Sequence, residues 1–130
     1  MIVVDSSALC AIFFNEPERA AFQLILDRED RRLLSAVNAH ETWIVLRGKR
    51  GREVAYAFWA WLGQNGIEVA PFDEFQARAA ADAFDRYGKG VDPKARLNLA
   101  DCAAYALAKT MNAPLLFKGD DFSHTPVERV

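Results

Sequence analysis

Short apolar runs alternate with longer amphipathic segments along this 130-residue chain. The apolar runs are typical of buried strands, and they fall at residues 1–4, 33–35, 67–71 and 114–117. Between them, apolar residues recur at helical spacing. The pattern predicts six helices, over residues 8–14, from 17 to the charged cluster at 27–32, and over 36–49, 54–62, 73–87 and 98–111.

The order of these elements predicts the fold class. Strands separated by helices imply parallel βαβ units with right-handed crossovers. We therefore expect an α/β protein, a three-layer sandwich in which a short parallel central sheet carries helices on both faces. A single domain over residues 1–130 is expected, because no linker or repeat divides the chain and 52% hydrophobic residues suffice for one core. Ligands of such folds bind beyond the carboxyl ends of the strands.

Composition and charge narrow the classes of function. Sixteen basic and eighteen acidic residues give a net charge of −2, which leaves no bulk positive field to hold a nucleic acid. Cys10 and Cys102 lie far apart among apolar residues, which indicates reduced thiols and predicts a cytoplasmic location. No apolar stretch predicts a membrane span or a signal peptide, so no membrane partner is expected.

Acidic residues lie at the predicted carboxyl edge of the sheet. Asp5 ends the first strand and Asp120 or Asp121 follows the last, so parallel strands bring them to the same edge. Asp101 falls in the first turn of the last helix, where the helix dipole favours an ionised carboxylate. Glu41 lies on an otherwise apolar helix face, where a charge requires a cation or a hydrogen-bond partner.

Purely structural roles are open for the same acids. Asn38 with Glu41, and Asn98 with Asp101, have the spacing of a capping box, so each acid can serve simply to start a helix. Asp5 is also a common residue type at a turn after a strand. We nevertheless favour a single explanation for the position of all these acids at one sheet edge, because four unrelated structural roles are less expected to place them there together.

A bound cation is such a shared reason. Carboxylates brought together raise each other's pKa values unless a countercharge is present. A hard divalent cation is expected, Mg²⁺ with Mn²⁺ as a substitute, because oxygen ligands suit these ions. Zinc is disfavoured, since His40 and His124 are the only histidines and the cysteines lack metal-binding spacing. A carboxylate-held cation activates water for attack on a phosphodiester.

Four segments, in order, resemble the PIN-domain family. They are residues 2–9 (IVVDSSAL), 35–41 (SAVNAHE), 98–102 (NLADC) and 115–122 (LLFKGDDF). The short chain is similar in length to the VapC-type toxins of bacterial toxin–antitoxin pairs. The resemblance implies a metal-dependent endoribonuclease that acts on RNA, a cognate VapB-type antitoxin that neutralises it, and a homodimer.

The resemblance also implies the site residues. Asp5, Glu41 and Asp101 match the family's metal-binding acids, with Asp5 and Asp101 as direct ligands and Glu41 bound through water. Asp120 is expected as the fourth catalytic acid and Asp121 is the second choice. The choice is open because relatives often separate two acids by one residue, whereas here the two are adjacent.

Two further features have open interpretations. Ser6 and Ser7 are predicted N-caps of the first helix, and alternatively one hydroxyl lies beside the metal. The segment 86–96 is rich in basic residues and is interpreted either as an RNA clamp, with Tyr87 stacking on a base, or as a solvated loop.

Two other functions fit the predicted fold. A receiver-like signalling domain accepts a phosphoryl group at a strand-end Asp, with Lys118 nearby. It requires an Asp at the end of a central strand, which residues 69–71 do not provide. A catalytically inactive interaction domain is the second alternative, and it predicts no saturable effect of Mg²⁺ on stability.

Overall fold

A parallel sheet of four short strands lies at the centre of the computed structural model, which describes residues 1–130. The strands run in the spatial order β3-β2-β1-β4, and every neighbouring pair is parallel. Their bounds are β1 (Ile2–Val4), β2 (Arg32–Ser35), β3 (Ile67–Ala70) and β4 (Leu115–Leu116). The predicted parallel α/β architecture is confirmed.

Six helices cover both faces of this sheet, as predicted. Successive strand residues point to opposite faces, so Ile2 and Val4 pack with the first four helices while Val3 packs with the last two. None of the six has both the length and the apolar character that a bilayer crossing requires. The helices are α1 (Ser6–Phe13), α2 (Arg19–Arg28), α3 (Ala36–Arg50), α4 (Arg52–Gln64), α5 (Glu74–Tyr87) and α6 (Leu99–Thr110).

The last helix, α6, is the most deeply buried element. Every residue from 102 to 108 is buried, and four of these seven are alanines. Small side chains let α6 pack closely against α5, against α3 and against the sheet. This packing holds the first turn of α6, which carries Asp101, beside the start of α3.

The residues that cap two of the helices differ from those that the sequence suggested. Asp5, not Ser6 or Ser7, is the N-cap of α1, and its carboxylate accepts a hydrogen bond from the Ser7 backbone N–H. Ser35 caps α3 in the same way, which makes the predicted Asn38 cap wrong. In both cases the helix begins directly at the strand end, because the first polar residue after the apolar run supplies the cap.

Candidate metal centre

The carboxyl ends of β1, β2 and β4 bring the predicted acids to one edge of the sheet. Asp5 directly follows β1, α3 with Glu41 directly follows β2, and Asp120 and Asp121 follow β4. The first turn of α6 reaches the same edge, since the Asn38 amide donates a hydrogen bond to the Ala100 carbonyl at 3.2 Å. Residues from four separate segments of the chain therefore meet here.

Asp5 is a buried carboxylate at the centre of this edge. Only 4% of the residue is exposed, and its Oδ2 accepts from the backbone N–H of Ser7 at 3.0 Å and from the Ser7 hydroxyl at 2.5 Å. Burial raises the pKa of Asp5 to about 6, against the lowering effect of the Ser7 bonds and with help from the negative charge of Glu41. Asp5 therefore lies close enough to Glu41 for the two charges to repel.

Ser7 connects Asp5 to the segment after β4. Its hydroxyl accepts a hydrogen bond from the Lys118 backbone N–H at 3.0 Å while it donates to Asp5. The Lys118 ammonium forms salt bridges with Glu16 at 2.6 Å and Glu18 at 3.4 Å and none with Asp5. Lys118 thus holds the β4 segment in place without neutralising the acids.

Asp101 takes part in the cap of its own helix and lies at the same edge as the other acids. The predicted capping box with Asn98 is present, with the Asp101 Oδ2 accepting from the Asn98 N–H at 3.0 Å. Burial raises the pKa of Asp101 to about 7, and the negative charges of Asp5, Asp121 and Glu41 raise it further against the Asn98 bond. One carboxylate oxygen serves the cap, which leaves the other for a ligand.

Glu41 is half-buried on α3 and repels two acids at once. Its charge contributes to the raised pKa values of both Asp5 and Asp101. A capping role for Glu41 is wrong, because Ser35 caps the helix. Glu41 also borders an open groove of about 330 Å³ between α3 and α6, in which Ile44 is the exposed apolar neighbour one turn later.

Asp120 and Asp121 are both exposed and border the same polar cavity as Asp101. Of the two, Asp121 is named among the charges that raise the pKa of Asp101. We therefore define the acidic group as Asp5, Glu41, Asp101 and Asp121. The sequence favoured Asp120 as the fourth member, and Asp120 borders the same cavity as Asp121.

Asn38 is the residue of this site whose role the sequence did not reveal. It is fully buried, and its Nδ2 reaches the Ser6 hydroxyl at 3.0 Å, the Ala100 carbonyl at 3.2 Å and the Asp5 Oδ1 at 3.5 Å. Its own Oδ1 is buried without a hydrogen-bond partner. Asn38 therefore ties the ends of β1 and β2 to the start of α6. The one signal in the sequence was a polar residue one turn before Glu41.

No basic side chain forms a salt bridge with the acidic group. The six salt bridges of the chain all join other residues, and none includes Asp5, Glu41, Asp101 or Asp121. Carboxylates in this situation favour protonation unless a cation binds, which is what the raised pKa values of Asp5 and Asp101 express. The donor set consists of carboxylate oxygens, which suits Mg²⁺ or Mn²⁺.

The acids are grouped loosely rather than as a tight cage. No three Asp, Glu, His or Cys side chains converge closely enough to hold one ion among themselves. Mg²⁺ commonly keeps several waters and is held directly by one or two carboxylates. The arrangement fits an ion with two direct protein ligands and further acids reached through water.

Comparison with known proteins identifies the family. The family model for the PIN domain matches residues 2–128. Ribonuclease VapC30 of Mycobacterium tuberculosis is 36% identical over 129 residues, which are 99% of this chain and 98% of that protein. Ribonuclease VapC28 of the same organism is 40% identical over 128 residues, 98% of this chain and 96% of that protein. The chain belongs to the PIN-domain family.

Solved structures agree with this assignment at the level of the fold. VapC20 of Mycobacterium tuberculosis, a sarcin-ricin loop cleaving toxin, superposes with a TM-score of 0.82 at 19% identity, covering 100% of this chain and 98% of that one. VapBC2 from Rickettsia felis, bound to a fragment of promoter DNA, gives 0.72 at 15% identity, covering 99% and 96%. The predicted resemblance is confirmed.

The receiver-like alternative is wrong. Receiver domains have the strand order 2-1-3-4-5. The order here is β3-β2-β1-β4, with β1 next to the last strand. In addition, the Lys118 ammonium that such a domain needs beside its acids is paired with Glu16 and Glu18.

Proposed function

We propose that this chain is a metal-dependent endoribonuclease toxin of the VapC type, which hydrolyses RNA phosphodiester bonds. The observation that carries the proposal is the acidic group around the buried Asp5, in which no carboxylate forms a salt bridge within the chain. Relatives between 36% and 40% identical over nearly the whole chain are named ribonucleases, which supports the same activity here. RNA as substrate implies action in the cytoplasm.

Asp5 and Asp101 are the proposed direct ligands of Mg²⁺, for which Mn²⁺ is a substitute. When bound, such an ion lowers the pKa of coordinated water and stabilises charge on a phosphodiester. The Ser7 bonds fix the Asp5 carboxylate, and the Asn98 cap fixes the Asp101 carboxylate, so both acids are oriented before any ligand arrives. No side chain needs to act as nucleophile, because water attacks the phosphorus.

Glu41 and the fourth acid complete the proposed site. Glu41 is half-buried on α3, near enough to Asp5 for the two charges to repel, and it acts through water, orienting it or accepting its proton. Asp121 is the fourth acid that the electrostatics support, and Asp120 borders the same cavity as the alternative. Both side chains are exposed, so a substrate at the protein surface can contact either of them.

A VapB-type antitoxin is the proposed regulator. Solved structures with this fold include toxin–antitoxin complexes, among them VapBC2 from Rickettsia felis. An antitoxin that places a basic side chain at the acidic group competes with the cation for the same negative charge. Inhibition by such a protein therefore follows from the electrostatics of the site.

We further propose that two copies of the chain form a homodimer through α5 and the start of α6. Phe75 and Leu99 are 67% and 76% exposed there, and Leu99 lines a wholly apolar cleft together with Phe72 and Phe84. Apolar side chains exposed together mark interaction surfaces. Sedimentation equilibrium of the native protein and of Phe75→Glu tests this, with a monomeric native protein as the contradicting result.

An RNA cleavage assay tests the enzymatic proposal. Purified protein is incubated with total RNA and Mg²⁺, with and without EDTA, beside Asp5→Asn and Asp101→Asn. Cleavage is expected in the native protein with Mg²⁺ and in no other sample, while circular dichroism shows both variants folded. Metal-dependent cleavage retained by both variants contradicts the assignment. No cleavage by native protein, together with no saturable Mg²⁺ effect on stability, indicates the inactive interaction domain.

A further inference from the structure

A polar cavity of about 400 Å³ opens beside Asp101, and positive side chains line part of it. The segment between α5 and α6, residues 88–98, supplies Lys89, Lys94 and Arg96. His124 comes from the segment after β4, as do Asp120 and Asp121 on the acidic side. The cavity therefore joins an acidic part, next to the proposed metal ligands, to a basic part.

The basic segment has a fixed backbone. Lys89 N–H donates to the Leu97 carbonyl and Leu97 N–H donates to the Tyr87 carbonyl, both at 2.9 Å. Asp92 closes the turn, since its Oδ1 accepts from the backbone N–H groups of Lys94 and Ala95 at 2.7 and 3.2 Å. These bonds use backbone donors, so they do not occupy the lysine ammonium groups.

Arg96 has the unusual backbone conformation of this segment. Its φ of 54° lies in the left-handed region, which is uncommon for a residue with a side chain. Its neighbours Ala95 and Leu97 are 4% and 0% exposed, while Arg96 itself is exposed. The turn thus buries both neighbours and leaves the guanidinium at the cavity.

The basic side chains of the cavity are free to take a ligand. Lys89, Lys94 and Arg96 are exposed and take part in none of the salt bridges of the chain. Tyr87, interpreted from the sequence as a platform for a base, instead packs on Tyr105 with ring centroids 5.6 Å apart. The segment therefore presents charge to a ligand but no stacking surface.

We propose that Lys89, Lys94 and Arg96 bind phosphodiester groups of the RNA strand next to the bond that is cleaved. The inference rests on the proposed ribonuclease function and names the part of the substrate that this cavity takes. A chain whose net charge is −2 attracts RNA only through a local positive surface, and this one adjoins the acidic group. A phosphate backbone that enters the cavity meets the basic side chains on one side and the acids Asp101, Asp120 and Asp121 on the other.

The test measures binding of a short fluorescein-labelled single-stranded RNA by anisotropy over a series of KCl concentrations with Mg²⁺ present. Every protein carries Asp5→Asn to prevent cleavage. The site variant adds Lys89→Gln, Lys94→Gln and Arg96→Gln, which keep the side-chain stems and the Cβ at the left-handed position. We expect at least about tenfold weaker binding and a salt slope shallower by about 2, since each single-strand phosphate contact contributes about 0.7.

A charge-matched control separates a local site from the effect of net charge. Arg28→Gln, Arg78→Gln and Lys109→Gln remove the same three charges from exposed positions on α2, α5 and the far end of α6. This control is expected to bind RNA as the Asp5→Asn parent does. Urea unfolding of all three proteins verifies that they are folded.

The outcomes are distinct. If the site variant binds with the affinity and salt slope of the control, the cavity does not bind the RNA backbone, and the ribonuclease proposal stands on its cleavage assay. If the native chain cleaves no RNA, both proposals fail. If inorganic phosphate displaces the RNA from the Asp5→Asn parent at an ionic strength where KCl does not, and the site variant loses this specific competition, the cavity recognises phosphate groups as proposed.

Discussion

Replacing Asp5 by Asn is expected to stabilise the metal-free protein while it removes activity. The pKa of this carboxyl is about 6 in the fold and 3.8 as an ordinary group, because burial disfavours its charge. The folded protein therefore holds this proton more tightly than the unfolded chain does. Burial of Asp5 costs nothing while both states are protonated, and the cost grows as pH rises from about 4 through about 6.

The size of the effect follows from the same two values. At pH values above both pKa values, the ionised Asp5 carboxylate destabilises the fold by about 3 kcal/mol. Asn keeps an oxygen that accepts the two Ser7 hydrogen bonds, but its amide group faces the Asn38 amide and loses that contact. The net gain expected for Asp5→Asn is therefore about 1–3 kcal/mol at about pH 8 and close to zero at about pH 4.

Urea unfolding in EDTA at both pH values measures the difference, with Mg²⁺ titrations beside it. Added Mg²⁺ is expected to raise the stability of the native protein and to leave the variant unchanged, because ligands stabilise the state that binds them. A variant that is less stable than the native protein by the same amount at both pH values refutes the electrostatic reasoning. In that case Asp5 acts as a structural cap and nothing more.

Four further substitutions probe the acidic group and the residues that support it. Asn38→Ala removes the buried donor to Ser6 and Ala100 and is expected to lower the unfolding free energy by about 2–3 kcal/mol in urea. Ser7→Ala breaks the link to Lys118 and is expected to weaken Mn²⁺ binding about tenfold by calorimetry, as loss of a supporting hydrogen bond does. Asp121→Asn is expected to reduce the RNA cleavage rate more than Asp120→Asn, and the reverse order restores the assignment made from the sequence.

The sequence was sufficient for the layers of the fold because they depend on local pattern. Apolar runs at residues 1–4 and 114–117 predicted strands, and helical spacing over 98–111 predicted α6. The N-caps of α1 and α3 were misplaced because several polar residues compete at each junction. Which of them caps the helix depends on where the strand ends, and strand pairing decides that.

The acidic residues of the site could be predicted from the sequence, but the residues that hydrogen-bond to them and hold them in place could not. Asp5, Glu41 and Asp101 were recognisable as charges at strand or helix ends. The partners of Asn38 lie 33 and 62 positions away from it, and Lys118 pairs with Glu16 across 102 positions. Contacts over such separations leave no periodic signal in one sequence, so they appear only once the chain is folded.

Titration of the chain with Mn²⁺, followed by electron paramagnetic resonance of the free ion, tests the cation site most directly. The native protein is expected to show saturable binding at about pH 8, where Asp5 and Asp101 are ionised in the presence of the ion. Asp5→Asn and Asp101→Asn are each expected to lose it, whereas Asp82→Asn, an exposed change on α5, retains it. Native affinity in both site variants contradicts a cation held by these two carboxylates.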